Sequence, residues 1–408
     1  MKMRLLVISQ FFPYPPTNGG RMRTYHLLRG LSKWHKIHLL TFSKSPEDID
    51  YAPELTGFCE QVHIAPDNKG NPLASALGFL SPAPRSYVTS RSRDMRFLVN
   101  EQVRRYSFDA GLVFGLRNSL YLQPHKQIPL IVDNDNCDTA YMARLVAEAP
   151  SSLIKFRRTL TWVKSRLYES RLASTLDAAL VVSDEDQKEM ALIAPSLQAK
   201  RAIHVAPNGA DLALLDYRGP EVDHQLITYP GALTYSANYD AAVYFCREVF
   251  PLVKALEPEC RFSITGNNDG VDLSSFQGKR DVSFTGFLDD VRPAIASSAA
   301  VVVPTRIGGG TRLKILEAMA LGTPVVSTSF GAAGLGTAHD ENILIADTPR
   351  DFAYCISRLM RDMELRERIT ANARIFVAEH YGWESIAEHL NRVIAICCGN
   401  GVRKRALD

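Results

Sequence analysis

The chain has 408 residues, 46% of them apolar and 22% charged, which excludes wholesale disorder and fibrous repeats and, at about 100–200 residues per domain, gives two or three domains with cores of their own. Lys and Arg outnumber Asp and Glu by only three, which excludes a global nucleic-acid signature. The imbalance is local: residues 1–220 hold 28 basic and 21 acidic side chains and the rest 19 and 23, so the first half is expected to face something anionic.

Short apolar, β-branched runs alternate with helical patterns along the whole chain, the signal for βαβ units and parallel sheets. In the first half the runs predict strands at 5–8, 36–41, 61–65, 110–114, 130–132, 178–182 and 203–206, with helices at about 20–34, 94–105, 152–174 and 184–193. After Pro207-Asn208-Gly209 a polar stretch leads to a second series, with strands at 226–229, 261–265, 282–284, 300–303, 325–327 and 343–345. Its helices fall at about 239–256, 288–297, 311–321, 350–361, 364–379 and 383–396. Two doubly wound domains are expected to hold a ligand in a cleft beyond the carboxyl ends of their strands, so the motifs should follow strands.

Seven scattered Cys without a C-x-x-C pair point to a reducing compartment, away from zinc or a disulfide framework. The apolar run in MKMRLLVISQ is too short for a signal peptide, and the longest charge-free stretch, Ala318 to His339, holds four Gly and one Pro, a poor membrane span. A cytoplasmic protein is expected.

After the first strand, SQFFPYPPTNGGRMRTYHLL runs through a Pro-rich loop into Gly19-Gly20 at a helix start, beside Arg21 and Arg23. Glycines let backbone N–H groups approach an anion at a helix N-terminus, although the spacing matches neither G-x-G-x-x-G nor a P-loop, and a plain chain turn is the other reading. The richest segment is AAVVVPTRIGGGTRLKILEAMALGTPVVSTSFGAAGL, residues 299–335. A buried strand ends at Pro304, Gly308, Gly309 and Gly310 open a helix, and Arg306, Arg312 and Lys314 surround that opening, an arrangement suited to a diphosphate. Glu317 stands among Leu316, Ala318 and Met319, where an unpaired carboxylate is costly, so a ligand's hydroxyls would suit it; a solvated Glu behind a capping loop is the plainer alternative.

Asp133-Asn134-Asp135 follows a strand and matches a D-x-D pattern that could hold a divalent metal with a phosphate, or accept hydrogen bonds from sugar hydroxyls. His26 on the first helix reads as a packed residue more readily than as a catalyst, and no His/Cys cluster or G-x-S-x-G elbow occurs. Residues 151–171, SSLIKFRRTLTWVKSRLYESR, carry six Lys/Arg and one Glu, with Leu153, Phe156, Leu160, Val163 and Leu167 at spacings of three and four. Such a helix either lies on an anionic membrane or packs its stripe on the core with a solvated basic face.

GGGTRLKILEAMALGTPVVSTSFGAAGL resembles the donor-sugar motif of family-4 retaining glycosyltransferases of the GT-B fold. VAPNGADL resembles their interdomain linker, and LVISQFFPYPPTNGGRMRTYHLLRGLS their N-terminal loop, closest to a bacterial exopolysaccharide-associated subgroup. The resemblance implies an α/β chain of two Rossmann-like, doubly wound domains facing across a cleft: 1–208 on the acceptor side, 209–381 on the donor side, and a C-terminal helix, 382–408, returning to the first. It implies retaining, metal-independent transfer of a sugar from a nucleotide-diphosphate donor to a glycan, lipid-linked or small-molecule acceptor, with no cofactor and no nucleic acid. By the same resemblance Glu317 binds ribose hydroxyls, Gly310, Thr311, Arg312 and Lys314 cradle the diphosphate, Gly19 and Gly20 face it, and Phe287 marks the base-recognition turn; Arg23, Gly231 and Gly309 are further expected donor-binding residues.

Two departures accompany it. The family's first motif Glu is replaced by Gly309, which leaves the donor sugar open, and the Arg/Lys pair after the first strand of the second domain is replaced by Gly231-Ala-Leu-Thr-Tyr. Arg312 and Lys314 are the expected replacements for the lost charge, and Asp133 and Asp135 the carboxylates expected near the reacting sugar. A nucleotide-sugar 2-epimerase on the same fold and a non-catalytic nucleotide-sugar-binding protein are the alternatives.

Overall fold

The β-branched runs become thirteen strands in two parallel sheets, seen in a computed structural model that describes residues 2–43, 45, 47–67, 81, 83–89, 91–135, 138–147, 149, 151–278, 280–307 and 313–405. The first sheet holds β1 (Arg4–Ser9), β2 (Lys36–Ser43), β3 (Gln61–Pro66), β4 (Ala110–Phe114), β5 (Leu130–Asn134), β6 (Ala178–Val181) and β7 (Ile203–Val205), in the order β3-β2-β1-β4-β5-β6-β7. The second holds β8 (Asp223–Pro230), β9 (Arg261–Thr265), β10 (Val282–Gly286), β11 (Ser298–Val303), β12 (Val325–Ser327) and β13 (Leu344–Ile345), in the order β10-β9-β8-β11-β12-β13. Each order reverses once, between β1 and β4 and between β8 and β11, which is where a doubly wound sheet opens a crevice at its carboxyl edge. The fold class is therefore α/β with two Rossmann-like domains.

The chain divides into two compact units, one of residues 1–208 with 384–408 and the other Gly209–Trp383. In the first, Leu6, Ile8, Val113 and Val132 form the sheet's contribution to a core closed by Met95, Val99 and Leu172. The last helix, Trp383–Arg405, buries Ala387, Leu390 and Ile394 in this unit. A Cβ added at Gly30 would overlap the methyl of Ala387, so the two helices meet where glycine leaves room. In the second unit the aromatic rings of Phe245, Phe250, Phe262 and Phe352 cluster under the sheet, Phe245 and Phe262 with centroids 4.6 Å apart.

Some predicted elements change form. The single helix expected over 239–256 is Ser236–Tyr244, a wide turn at Phe245–Val249, and Phe250–Leu256. Pro251 has no N–H to give the preceding turn, so the helix widens ahead of it. The helix expected at 288–297 shrinks to Arg292–Ala296, because the Asp290 carboxylate accepts from Arg292 N (3.0 Å) and fixes a turn there. A helix at Asp138–Ala147 was not expected.

Candidate functional site

Each unit brings polar groups to the carboxyl edge of its own sheet. In the second unit β8 runs through buried Tyr229 to Gly231, and the helix Leu313–Leu321 starts close by. The Lys314 ammonium donates to Tyr229 Oη and Asn238 Oδ1, both at 3.1 Å, and lies 4.3 Å from the centroid of the Tyr229 ring. Tyr229 Oη in turn donates to Asn238 Oδ1 (3.0 Å), and Asn238 Nδ2 to Ala232 O (3.0 Å). A Cβ at Gly231 would lie 2.8 Å from Lys314 Nζ and 3.2 Å from Asn238. Glycine thus makes the space the ammonium fills, and a cation stands at the β8 turn although that turn has no basic residue.

Glu317 lies one helical turn beyond Lys314, half-buried, with no hydrogen-bond partner among the described residues. Burial pushes its carboxyl up to about 7, opposed by the charge of Lys314. Phe287 follows Gly286, whose φ of +69° turns the chain at the end of β10, and its ring is 60% exposed. Gly266, at φ +114°, lets the β9 turn pass Gly231-Ala232, since a Cβ there would come within 2.7 Å of Ala232 N. Arg306, after β11, pairs with Asp240 at 3.1 Å and lies 4.0 Å over the Tyr244 ring. Gly308, Gly309, Gly310, Thr311 and Arg312 lie outside the described residues.

The first unit has a cavity of about 230 Å³ at the ends of β1, β4 and β5. Asn18 caps the helix Gly19–Leu31, its Oδ1 accepting from Arg21 N at 3.1 Å, so Gly19 is the first helical residue and Gly20 lines the cavity. Asp135 lines it opposite, 3.8 Å from where a Cβ of Gly20 would stand. Gly115, at φ +81°, turns the chain after β4 and sends Arg117 to the rim, its guanidinium 5.2 Å over the Tyr87 ring.

Two expected site residues are engaged elsewhere. Arg23, 1% exposed, donates to both carboxylate oxygens of Asp133 (2.7 and 2.8 Å), to Pro207 O (2.9 Å) and to Asn208 Oδ1 (3.1 Å). A buried guanidinium needs a counter-charge, and Asp133, also 1% exposed, supplies it. Arg23, expected at a donor, and Asp133, expected at a sugar or a metal, are thus held by each other in the interior, where the pair ties the end of β5 to the last residues of the first stretch of the unit. Asp135 alone of the D-x-D carboxylates lines the cavity. His26 stands edge-on to Tyr25 at 5.3 Å. Burial raises the thiols of Cys59, Cys260 and Cys397 to about 12, so they stay protonated at neutral pH.

Arg117, Tyr87 and Gln10 were missed. Arg117 follows the strand at 110–114 by three residues, the position a strand-end residue of a doubly wound sheet takes beside its crevice.

Residues 224–362 match the family described as glycosyl transferases group 1. An uncharacterized 44.6 kDa protein in the cps region of Klebsiella pneumoniae is 25% identical over 390 residues, covering 93% of this chain and 96% of that protein. An uncharacterized glycosyltransferase of Methanocaldococcus jannaschii is 32% identical over 187 residues, 44% of this chain and 46% of that one. Among solved structures, Anabaena HepE in complex with UDP and glucose superposes with a TM-score of 0.65 at 14% identity, covering 96% of this chain and 99% of that one. The matched stretch lies within the second unit, and the likeness to the solved structure is one of fold, two Rossmann-like domains in one chain.

Proposed function

We propose that the protein is a retaining, metal-independent glycosyltransferase of the family-4 type, taking a nucleotide-diphosphate sugar as donor and a glycan or lipid-linked acceptor. The observation that carries this reading is the pairing on one helix of Lys314, held over the Gly231 turn, with Glu317, a half-buried carboxyl without a hydrogen-bond partner among the described residues. Ribose hydroxyls would give Glu317 the donors it lacks, and the diphosphate would lie toward Lys314. As the bond from the anomeric carbon to the diphosphate breaks, negative charge collects on the leaving oxygen, and a cation already held in place lowers the barrier most there. The acceptor oxygen bonds to the anomeric carbon and gives its proton to the departing diphosphate, so no protein nucleophile is needed. Arg312 is taken to act on the same diphosphate, as its place in the motif suggests, and exposed Phe287 to lie against the base. In the first unit the cavity lined by Gly20 and Asp135 is read as the acceptor side. The relative in a cps region supports a role in polysaccharide synthesis.

The test is a thermal-shift screen with UDP-, GDP- and dTDP-sugars, followed by titration of the best nucleoside diphosphate into wild type and Glu317→Gln. A loss of about 1–3 kcal/mol in affinity is expected for the variant. Unchanged affinity removes Glu317 from the site, and epimerisation of the donor without acceptor overturns the transferase reading.

A further inference from the structure

The helix Ser152–Ala173 turns its apolar stripe outward. Leu153, Phe156, Leu160, Val163 and Leu167 are 79%, 69%, 60%, 40% and 62% exposed, and at 3.6 residues per turn they fall within an arc of about 80° and extend for about 20 Å. The opposite face is the one that packs, burying Ser165, Glu169, Leu172 and Ala173. Two hydrogen bonds fix that orientation: Arg158 Nη1 donates to Leu145 O at 2.7 Å and Trp162 Nε1 to Thr139 O at 3.1 Å. Arg158 therefore points inward rather than joining the basic face. Lys155 and Arg166 border the stripe on one side and Arg157 on the other, all exposed, while the helix's one acid, Glu169, is buried.

We infer that this helix docks the protein on the surface of a membrane containing anionic lipid. Five large side chains held in water as a ridge favour an apolar medium, and the cations along its borders favour negative charge at the same level. A bilayer interface offers both together, the ridge entering the acyl boundary and the cations meeting headgroup phosphates. A second copy of the same face would bring these cations against themselves across a two-fold axis. Among the described residues no helix is long and apolar enough to cross a membrane, so the contact is one of lying on the surface.

The experiment is co-sedimentation of the full chain, without substrate, with vesicles of phosphatidylcholine alone or mixed with phosphatidylglycerol, at low and high salt. Wild type is expected to sediment with the mixed vesicles at low salt and to be released as salt shortens the Debye length. The triple variant Leu153→Ser, Phe156→Ser, Leu160→Ser should keep the wild-type melting temperature, since these side chains are exposed, and partition at least about tenfold less. The variant Lys155→Gln, Arg157→Gln, Arg166→Gln should lose most of the salt dependence. Equal partition of wild type and the stripe variant overturns the inference. So does a stripe variant that changes a dimer to a monomer with partition unaltered, which would assign the ridge to a second copy. Binding is read without nucleotide, so failure here leaves the donor site untouched.

Discussion

Replacing Glu317 by Gln keeps the side chain's shape and removes its titration. In the fold burial raises this carboxyl from 4.5 to about 7, so between those values the folded protein holds a proton that the unfolded chain has released. Stability therefore falls as pH rises from 4.5 to 7 and levels off above, by roughly 3 kcal/mol at 1.36 kcal/mol per unit, an upper figure because water reaches the half-buried side chain. Gln carries no such cost. Glu317→Gln is expected to melt several degrees above wild type at about pH 8.5, taking roughly 2–4 °C per kcal/mol for a unit of this size, and to converge on wild type toward about pH 4.5. Calorimetry on both proteins across this range gives the answer, and a melting difference that does not change with pH would refute the reasoning. The nucleotide titration supplies the counterpart. If ribose hydroxyls favour the ionised carboxylate, wild-type affinity should drop by up to about tenfold per unit below pH 7, while the variant binds weakly with a flat profile. A residue that stabilises the empty protein when neutralised and weakens the ligand complex at the same time is one whose charge is kept for the ligand.

Lys314→Ala should lower kcat/KM by about 10²-fold or more with a small change in stability, because its partner in the reaction gains charge in the transition state; a wild-type value at fixed ionic strength would remove it from the mechanism. Asp133→Asn should destabilise the first unit by about 3–5 kcal/mol in a denaturant titration, since it leaves Arg23 buried without its counter-charge, and a loss below about 1 kcal/mol would mean that Pro207 O and Asn208 suffice. Turnover should survive EDTA, because the proposed stabilising groups are cations of the protein; activity abolished by chelation and restored by Mn²⁺ would reverse the assignment.

The central strands were readable because they are short apolar runs buried on both faces, as in Val301-Val302-Val303 and Leu5–Ile8. What escaped depended on partners far away along the chain. Arg23 and Asp133 are 110 residues apart, and nothing local tells a guanidinium bound for the interior from one meant for a ligand, so both were read as site residues. Lys314 was legible as a cation at a helix start, whereas its seat over Gly231 needs Tyr229 and Asn238, some 80 residues earlier. The Ser152–Ala173 helix shows the same limit from the other side: its period marks an apolar face, and only the structure tells which way that face is turned. Asp138–Ala147 was hidden by the polar run before it, which reads as loop.

The first unit is written in two pieces, and this shapes how the protein can be made and cut. Its sheet is complete at Val205, yet the surface of the first helix that receives Ala387 stays open until the whole second unit has been synthesised. A fragment ending at Asn208 would expose the apolar positions covered by Ala387, Leu390 and Ile394, and should aggregate. The second unit has the opposite property. Ala210 N donates to Tyr381 O at 2.7 Å, so its first and last residues lie side by side. It has the anatomy of a domain insertion, with entry and exit at one point, where a module with adjoining termini could be spliced in or out without redrawing the host.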